Sequence, residues 1–303
     1  MPLLQRKRVL AAKVETTIGT AESLTASEGV FNAYNVIAQA NITAEEREGQ
    51  GAFNRLSSVT GMRTGTISFR TDLSYDGSTV PTWASVLLPM CGWVNATGTF
   101  TPRTEAPGSN VKTGTIGVFM DGMLKRIAGA VGDFSIVFPS GRMAYIDWTF
   151  TGVWQAPTDT AIIAPTYPTD PTLRAASMTT SWNATTLCFE QITVASNNEI
   201  VARECTTSAA GVTNYMIADR RPTITGNPET ELVATQDRFG QWIGHTEGAL
   251  SIAISNAITI SASKAQIINI QEGNRNRIVI DEIEWQCNKN GTTNDSELSI
   301  VFS

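Results

Sequence analysis

At 303 residues and a formal net charge of −6, the chain has room for one large or two ordinary domains and can bury most of its unfolded surface without staples. The charge is uneven: residues 1–154 carry 13 basic and 12 acidic side chains, residues 155–303 carry 9 and 16. That leaves no basic footprint for gripping nucleic acid; four scattered cysteines and one histidine argue against a zinc site, and no run reaches the ~18 apolar residues of a membrane span.

The opening MPLLQRKRVLAAK has a basic cluster but no apolar core of the length a signal peptide needs, so folding in a cytoplasm with reduced, mostly buried thiols is expected. Residues 1–18 read as an N-terminal arm. The stretch Lys13, Glu15, Thr17 and Gly19 at its end is either part of a solvated terminus or a segment that docks on a neighbouring subunit. Residues 19–62 show little apolar periodicity and are expected to be loops with at most one short strand. The long loop at 40–62 is either a solvated surface loop or a segment ordered by contacts between subunits.

Gly65 to Leu73 alternates apolar and polar residues and predicts a strand. Pro81 to Cys91 predicts a short helix, with Trp83, Val86, Leu87 and Met90 at helical spacing. Residues 92–114 read as loop, ending in the turn-rich stretch 104–110. The stretch Thr115 to Trp154 is the centre of the chain. Its apolar run Ile116–Met120 leads into Asp121-Gly122, a strong hairpin signal because both turn positions need positive φ. Asp133–Phe138 predicts a further strand and Pro139-Ser140-Gly141 a turn. Ile146, Trp148 and Phe150 then alternate with polar residues, the period of a half-buried strand. Gly129, Gly132 and Gly152 stand where bulges or close backbone approach would use them.

Gln155 to Thr172 contains four prolines and predicts a semi-rigid connection. Beyond it, strands are expected at Thr185–Ala195, Ile200–Cys205 and Val212–Ala218, with a turn at Asn197-Asn198. A short helix is expected at Glu229–Val233. Further strands are expected at 250–254, 258–260, 267–270, 277–287 and 298–302, with a bulge at Asp281-Glu282. Arg220-Arg221 beside Asp219 reads as a surface ion pair. The order of strands and turns weakly echoes the first half.

Three groups of residues together resemble the tail-tube (major tail) proteins of long-tailed, siphovirus-type bacteriophages. They are Lys13–Thr20, Leu87–Gly92, and the central set Val118–Arg126, Gly129–Gly132 and Thr149–Gly152. The resemblance implies a mainly β fold, an antiparallel sandwich or barrel-like tube fold with a short helix. The seam at 155–172 and the repeated hairpins favour two tandem lobes, 19–154 and 173–303, forming trimeric pseudo-sixfold rings. A single elaborated domain in hexameric rings is the other reading. The resemblance also implies stacked rings in a virion tail, assembled in the host bacterial cytoplasm. The implied partners are copies of itself, a tape-measure protein, and tail terminator and tail-tip proteins. Genome DNA would pass through the lumen without specific binding, and neither cofactor, metal nor membrane is implied.

Two other readings have a basis in composition. A β-sandwich adhesin or carbohydrate-binding module suits the seven tryptophans and the Thr, Asn and Ser content. A carboxylate-type glycoside hydrolase could use Asp281, Glu282 and Glu284, but Trp285 has the opposite parity to Glu284, so aromatics would not line the acidic face. None of the nucleophile-elbow, metalloprotease, Walker or dinucleotide motifs occurs. His245 has no neighbouring aspartate and is expected at a polar surface.

Overall fold

The computed structural model describes residues 3–4, 6–29, 31–51, 53–104, 112–255 and 257–303. The first half forms β1 (Arg8–Val14), β2 (Ala33–Glu48), β3 (Arg55–Asp72), α1 (Thr82–Met90), β4 (Trp93–Ala96), β5 (Thr99–Pro102), β6 (Gly114–Met120), β7 (Met123–Pro139) and β8 (Tyr145–Asp159). The second half forms β9 (Thr179–Trp182), β10 (Thr185–Thr186), β11 (Phe189–Ala195), β12 (Asn198–Glu204), β13 (Val212–Arg220) and β14 (Thr223–Pro228). It continues with α2 (Arg238–Ile243), β15 (Glu247–Ile254), β16 (Ile258–Arg275), β17 (Ile278–Asn288) and β18 (Ser299–Phe302). The mainly β, antiparallel architecture with short helices matches the expectation.

One large sheet carries the strand order β10-β9-β15-β16-β17-β14-β11-β7-β8-β3-β2. Along this path, every strand on one side of the β11–β7 pairing comes from the second half and every strand on the other side from the first. β18 adds a second junction, pairing with both β16 and β5. β12 and β13 form a separate two-stranded sheet, which packs on β7 and β8 through Val131, Val153, Val212 and Tyr215.

The sheet is built as alternating rows. Thr71, Ile146, Ile136, Val194, Ile224, Trp285 and Ile267 lie side by side across seven strands, and all are buried. Successive side chains of a strand point to opposite faces, so this row marks the core face. Phe69, Phe134, Trp148 and Phe150 extend it, with ring centroids 5.4 to 6.1 Å apart. α1 covers this side with Trp83, Leu87, Leu88 and Met90.

The central hairpin forms as the sequence indicates. Met120 faces Met123 across Asp121 (φ 42°) and Gly122 (φ 106°). β7 is longer than Asp133–Phe138, running unbroken from Met123. A Cβ at Gly132 would overlap the Phe150 ring on the neighbouring β8, which explains glycine there. At Gly152 the space is closed by Ala130 and the Ala128 carbonyl.

Several expectations need correction. Residues 19–62 are not mainly loop: β2 and the first half of β3 make a long hairpin. Its outer part has no buried face, so no apolar alternation was needed to form it. The short helix lies at Arg238–Ile243 and not at Glu229–Val233, capped by the Asp237 carboxylate accepting from Gly240 N at 2.7 Å. The 185–195 strand is split into β10 and β11. The bulge in the β16–β17 pair lies in β16, between Ile267 and Asn269; Asp281 is buried because Arg238 meets it at 2.5 Å. Arg220 pairs with Glu297 at 2.5 Å and with Asp295, not with Asp219. Only Cys91 and Cys287 are buried; Cys205 is half-buried, Cys188 exposed, and all four are free thiols. Most of the 104–110 stretch lies outside the described residues.

Candidate functional site

The rows that flank the buried row form a broad polar surface. One runs Tyr34, Arg70, Asp147, Ser135, Ala195, Thr223, Gln286, Gln266, Glu247, from β2 to β15. The other runs Asp72, Tyr145, Val137, Thr193, Thr225, Glu284, Asn269, from β3 to β16. Amides, hydroxyls and carboxylates dominate both. Arg70 is the sole cation within these rows. Asp147 accepts from its Nε at 2.7 Å and its Nη2 at 2.8 Å, and its guanidinium lies 3.7 Å from the Tyr145 ring centroid. Arg221 reaches Gln286 Oε1 at 3.0 Å from the strand end. Gln191, Asn227, Gln271, Glu282 and Glu284 border a shallow trough of ≈ 290 Å³ on this face.

Glu282 and Glu284 therefore share the open face, whereas Trp285 is fully buried beneath it. His245 is exposed after α2 with φ 53°. Among the described residues no group of three His, Cys, Asp or Glu side chains is placed to hold a metal ion.

The arm residues and one of the glycines meet at a second locus. β1 pairs with β6 of its own chain, Lys13 facing Thr115. Glu15 is buried there and its carboxylate collects four donors. Oε1 accepts from Gly129 N at 2.8 Å and Thr115 Oγ1 at 2.9 Å; Oε2 accepts from Thr113 Oγ1 at 2.6 Å and Gly19 N at 2.8 Å. Gly19 (φ 73°) packs against the Thr213 carbonyl with no room for a Cβ, and at Gly129 (φ 57°) a Cβ would sit only 3.0 Å from Asn214 in a backbone conformation that favours glycine. Lys13 reaches Glu22 at 3.2 Å and Glu28 at 3.6 Å. The Thr16 hydroxyl and amide, with help from Lys13, hold the Glu22 carboxyl down to about 2. Thr17 is exposed beside this knot. Asp121 closes the base of the arm, accepting from Leu4 N and Lys7 Nζ, each at 3.1 Å. Trp148 is buried and donates to Thr71 Oγ1 at 2.8 Å; Phe150 is buried beside it. The structure thus brings Lys13, Glu15, Gly19 and Gly129 together, while Gly132, Trp148, Phe150 and Gly152 belong to the core seam and Asp121-Gly122 to the hairpin end. The polar rows were beyond sequence reasoning because they depend on which strands are neighbours.

Among the described residues this broad antiparallel sheet, apolar behind and mostly polar in front, has β2 and β10 as its edge strands. A family model described as phage tail tube protein matches residues 5–287, and the chain belongs to that family. It is a structural protein of the bacteriophage tail that self-assembles into the tail tube, the conduit for DNA ejection; the adhesin reading is not favoured. No curated protein matches the chain.

Proposed function

We propose that the polar rows face the lumen of the tube and that the protein acts as a passive, non-enzymatic wall. The observation that supports this is the pair of rows themselves, spanning seven and nine strands with one arginine already held by a carboxylate. DNA binding draws its affinity from cations that neutralise phosphates. A surface dominated by amides, hydroxyls and carboxylates, with Arg70 held by Asp147 and Lys264 beside Glu247, offers the duplex few such footholds, Arg221 at the strand end being the exception. The test places a cation in the trough: Glu284→Lys should leave tubes of normal appearance and slow DNA ejection in a salt-dependent way. Unchanged ejection at low salt refutes the lumen assignment.

The further reading follows the resemblance to long-tailed, siphovirus-type phages with a flexible, non-contractile tail. Lobes 19–154 and 173–303 about the connection at 155–172 would give trimeric, pseudo-sixfold rings. The grouping of strands on either side of the β11–β7 pairing supports two lobes, and each half carries one short helix; the first half has two long hairpins, β2–β3 and β7–β8, and the second has β16–β17. Class averages down the ring axis distinguish this from hexamers. Rings close when the β2 edge of one copy meets the β9–β10 edge of the next, removing free edges. In the arm, Thr17 and Ile18 are exposed for a neighbour, while Lys13, Glu15 and Gly19 hold that stretch in place. The partners at the tube's ends and inside it are tail terminator, tail-tip and tape-measure proteins, with assembly in the host cytoplasm.

A further inference from the structure

On β15, β16 and β17 the polar face ends in a cluster that a passive wall does not need. Lys264 of β16 stands directly across from Asn288 of β17, and two residues along β16 Gln266 stands across from both Gln286 and Glu247. Residues two apart on a strand point the same way, so these five side chains share one face. Ala265, Trp285 and Cys287 are buried beneath them, and core packing therefore holds the strands that carry the cluster.

Hydrogen bonds fix how each amide is turned. A guanidinium only donates, and Arg221 reaches Gln286 Oε1 from Nε at 3.2 Å and from Nη2 at 3.0 Å. The Gln286 amide nitrogen therefore points the other way and donates to Asn288 Oδ1 at 2.8 Å. That turns Asn288 Nδ2 towards two acceptors, Glu247 Oε1 at 2.9 Å and Gln266 Oε1 at 3.0 Å. The other oxygen of the same carboxylate, Oε2, lies 3.8 Å from Lys264 Nζ. One carboxylate thus touches both a primary amine and the nitrogen of a primary amide, and the amide oxygen is held by a donor that a cation backs.

These are the parts of an acyl transfer: a nucleophile beside a base, a carbonyl with a donor on its oxygen, and a leaving group beside a proton carrier. Opposed residues of an antiparallel pair have Cβ atoms about 5 Å apart, a gap that a lysine side chain spans with slack. We infer that Lys264 and Asn288 join in an intramolecular isopeptide bond, with Glu247 carrying the protons. Glu247 takes a proton from the Lys264 ammonium, and the neutral Nζ adds to Asn288 Cγ. The Gln286 amide steadies the charge that develops on Oδ1. Glu247 hands its proton to the departing Nδ2 and receives the second proton of Nζ, which leaves with the ammonia as ammonium. One C–N bond forms, one breaks, no electrons change hands and no co-reactant is required. The paired strands replace an encounter with a fixed geometry, and the reaction has to run only once in the life of a chain.

The bond ties β17 to β16 at the last residue of β17, just before the chain turns towards β18 and its pairings with β16 and β5. It also removes the ammonium of Lys264 from the end of the polar face, leaving a neutral amide where a phosphate contact could form. The chemistry itself does not depend on which face lines the lumen.

The experiment is the intact mass of folded full-length protein, followed by digestion and peptide sequencing by mass spectrometry. The expected chain is lighter than its sequence by one ammonia and yields a branched peptide joining residues 264 and 288. Lys264→Arg and Glu247→Gln, both at half-exposed positions, should restore the full mass while keeping a cooperative melting curve. Ring closure at Asn290-Gly291 to a succinimide would expel the same ammonia, but it leaves residues 264 and 288 in separate peptides and persists in Lys264→Arg; that pattern overturns the inference. The full sequence mass in the folded parent protein after prolonged incubation overturns it as well, whatever the variants do. A link that forms undiminished in Glu247→Gln overturns the role of the carboxylate.

Discussion

Glu15→Gln tests whether a buried carboxylate ties the N-terminal arm to the body. The two backbone donors use different oxygens, Gly129 N on Oε1 and Gly19 N on Oε2. An amide has one accepting oxygen, so one of these N–H groups faces an NH2 whichever way the side chain is turned. The threonine hydroxyls of Thr113 and Thr115 can rotate to accept; a backbone N–H cannot. Leaving one donor unsatisfied costs about 1–3 kcal/mol, and weakening the remaining charge-assisted bonds adds about 1 kcal/mol. The expected loss is about 2–4 kcal/mol, a fall of roughly 5 °C or more in melting temperature for a chain of this size. Glu15→Ala strands both backbone donors and should lose more. Thermal and guanidinium unfolding of unassembled protein provides the reading. A Glu15→Gln variant within 0.5 kcal/mol of the parent, or an alanine variant no worse than the glutamine one, refutes the role of the converging donors.

Arg238→Ala leaves Asp281 buried with Thr230 as its remaining side-chain partner, so a loss of about 3–5 kcal/mol is expected; Arg238→Met with Asp281→Leu should recover most of it in the same unfolding assay. Gly132→Ala drives a methyl group into the Phe150 ring and should cost about 1–3 kcal/mol by denaturant titration, with near-ultraviolet dichroism reporting the displaced aromatic stack. Glu22 has its carboxyl lowered from 4.5 to about 2 by the Thr16 hydroxyl and amide, with Lys13. A depressed carboxylate stabilises the fold above its unfolded value and loses that contribution as pH falls toward the folded one. The melting-temperature gap between the parent and Glu22→Gln should therefore be open above about pH 5 and close toward pH 2; a gap independent of pH contradicts the assignment.

What could be read from the sequence depended on whether a strand had a buried face. Ile146, Trp148 and Phe150 alternate because β8 has core on one side and solvent on the other, and the period-two pattern records that. Asp121-Gly122 and α1 were legible from turn chemistry and from apolar spacing. The outer parts of β2 and β3 were not, because a ribbon with no buried face has no core side to write into its pattern. α2 was missed because six residues barely make a period, and its cap at Asp237 stands next to no apolar run. Glu15 looked like any solvated acid: three of its four donors come from residues 113, 115 and 129, which only β1–β6 pairing brings to it. The polar face was present strand by strand as the off-core parity, but a face is a property of neighbours, and strand order was not legible.

Arg70 shows what such a face must do with a cation it retains. A free arginine in every copy would repeat in every ring, and a duplex threading the stack would meet a phosphate contact at each level. Affinity built from phosphate contacts grows with their number and falls steeply with salt, so even a weak site per copy would become a brake over the length of a tube. Here the guanidinium makes two bonds to Asp147 and lies over Tyr145, so its donors and its charge are both engaged. Asp147→Asn would remove the charge of that partner while keeping an accepting oxygen. The fold should survive, since the pair is half exposed and worth little to stability there. Ejection of DNA from such tails should slow at low salt and recover as salt is raised. If ejection is unchanged at every salt concentration while Glu284→Lys does slow it, the lumen lies over the β14–β17 part of the sheet and not over β3 and β8.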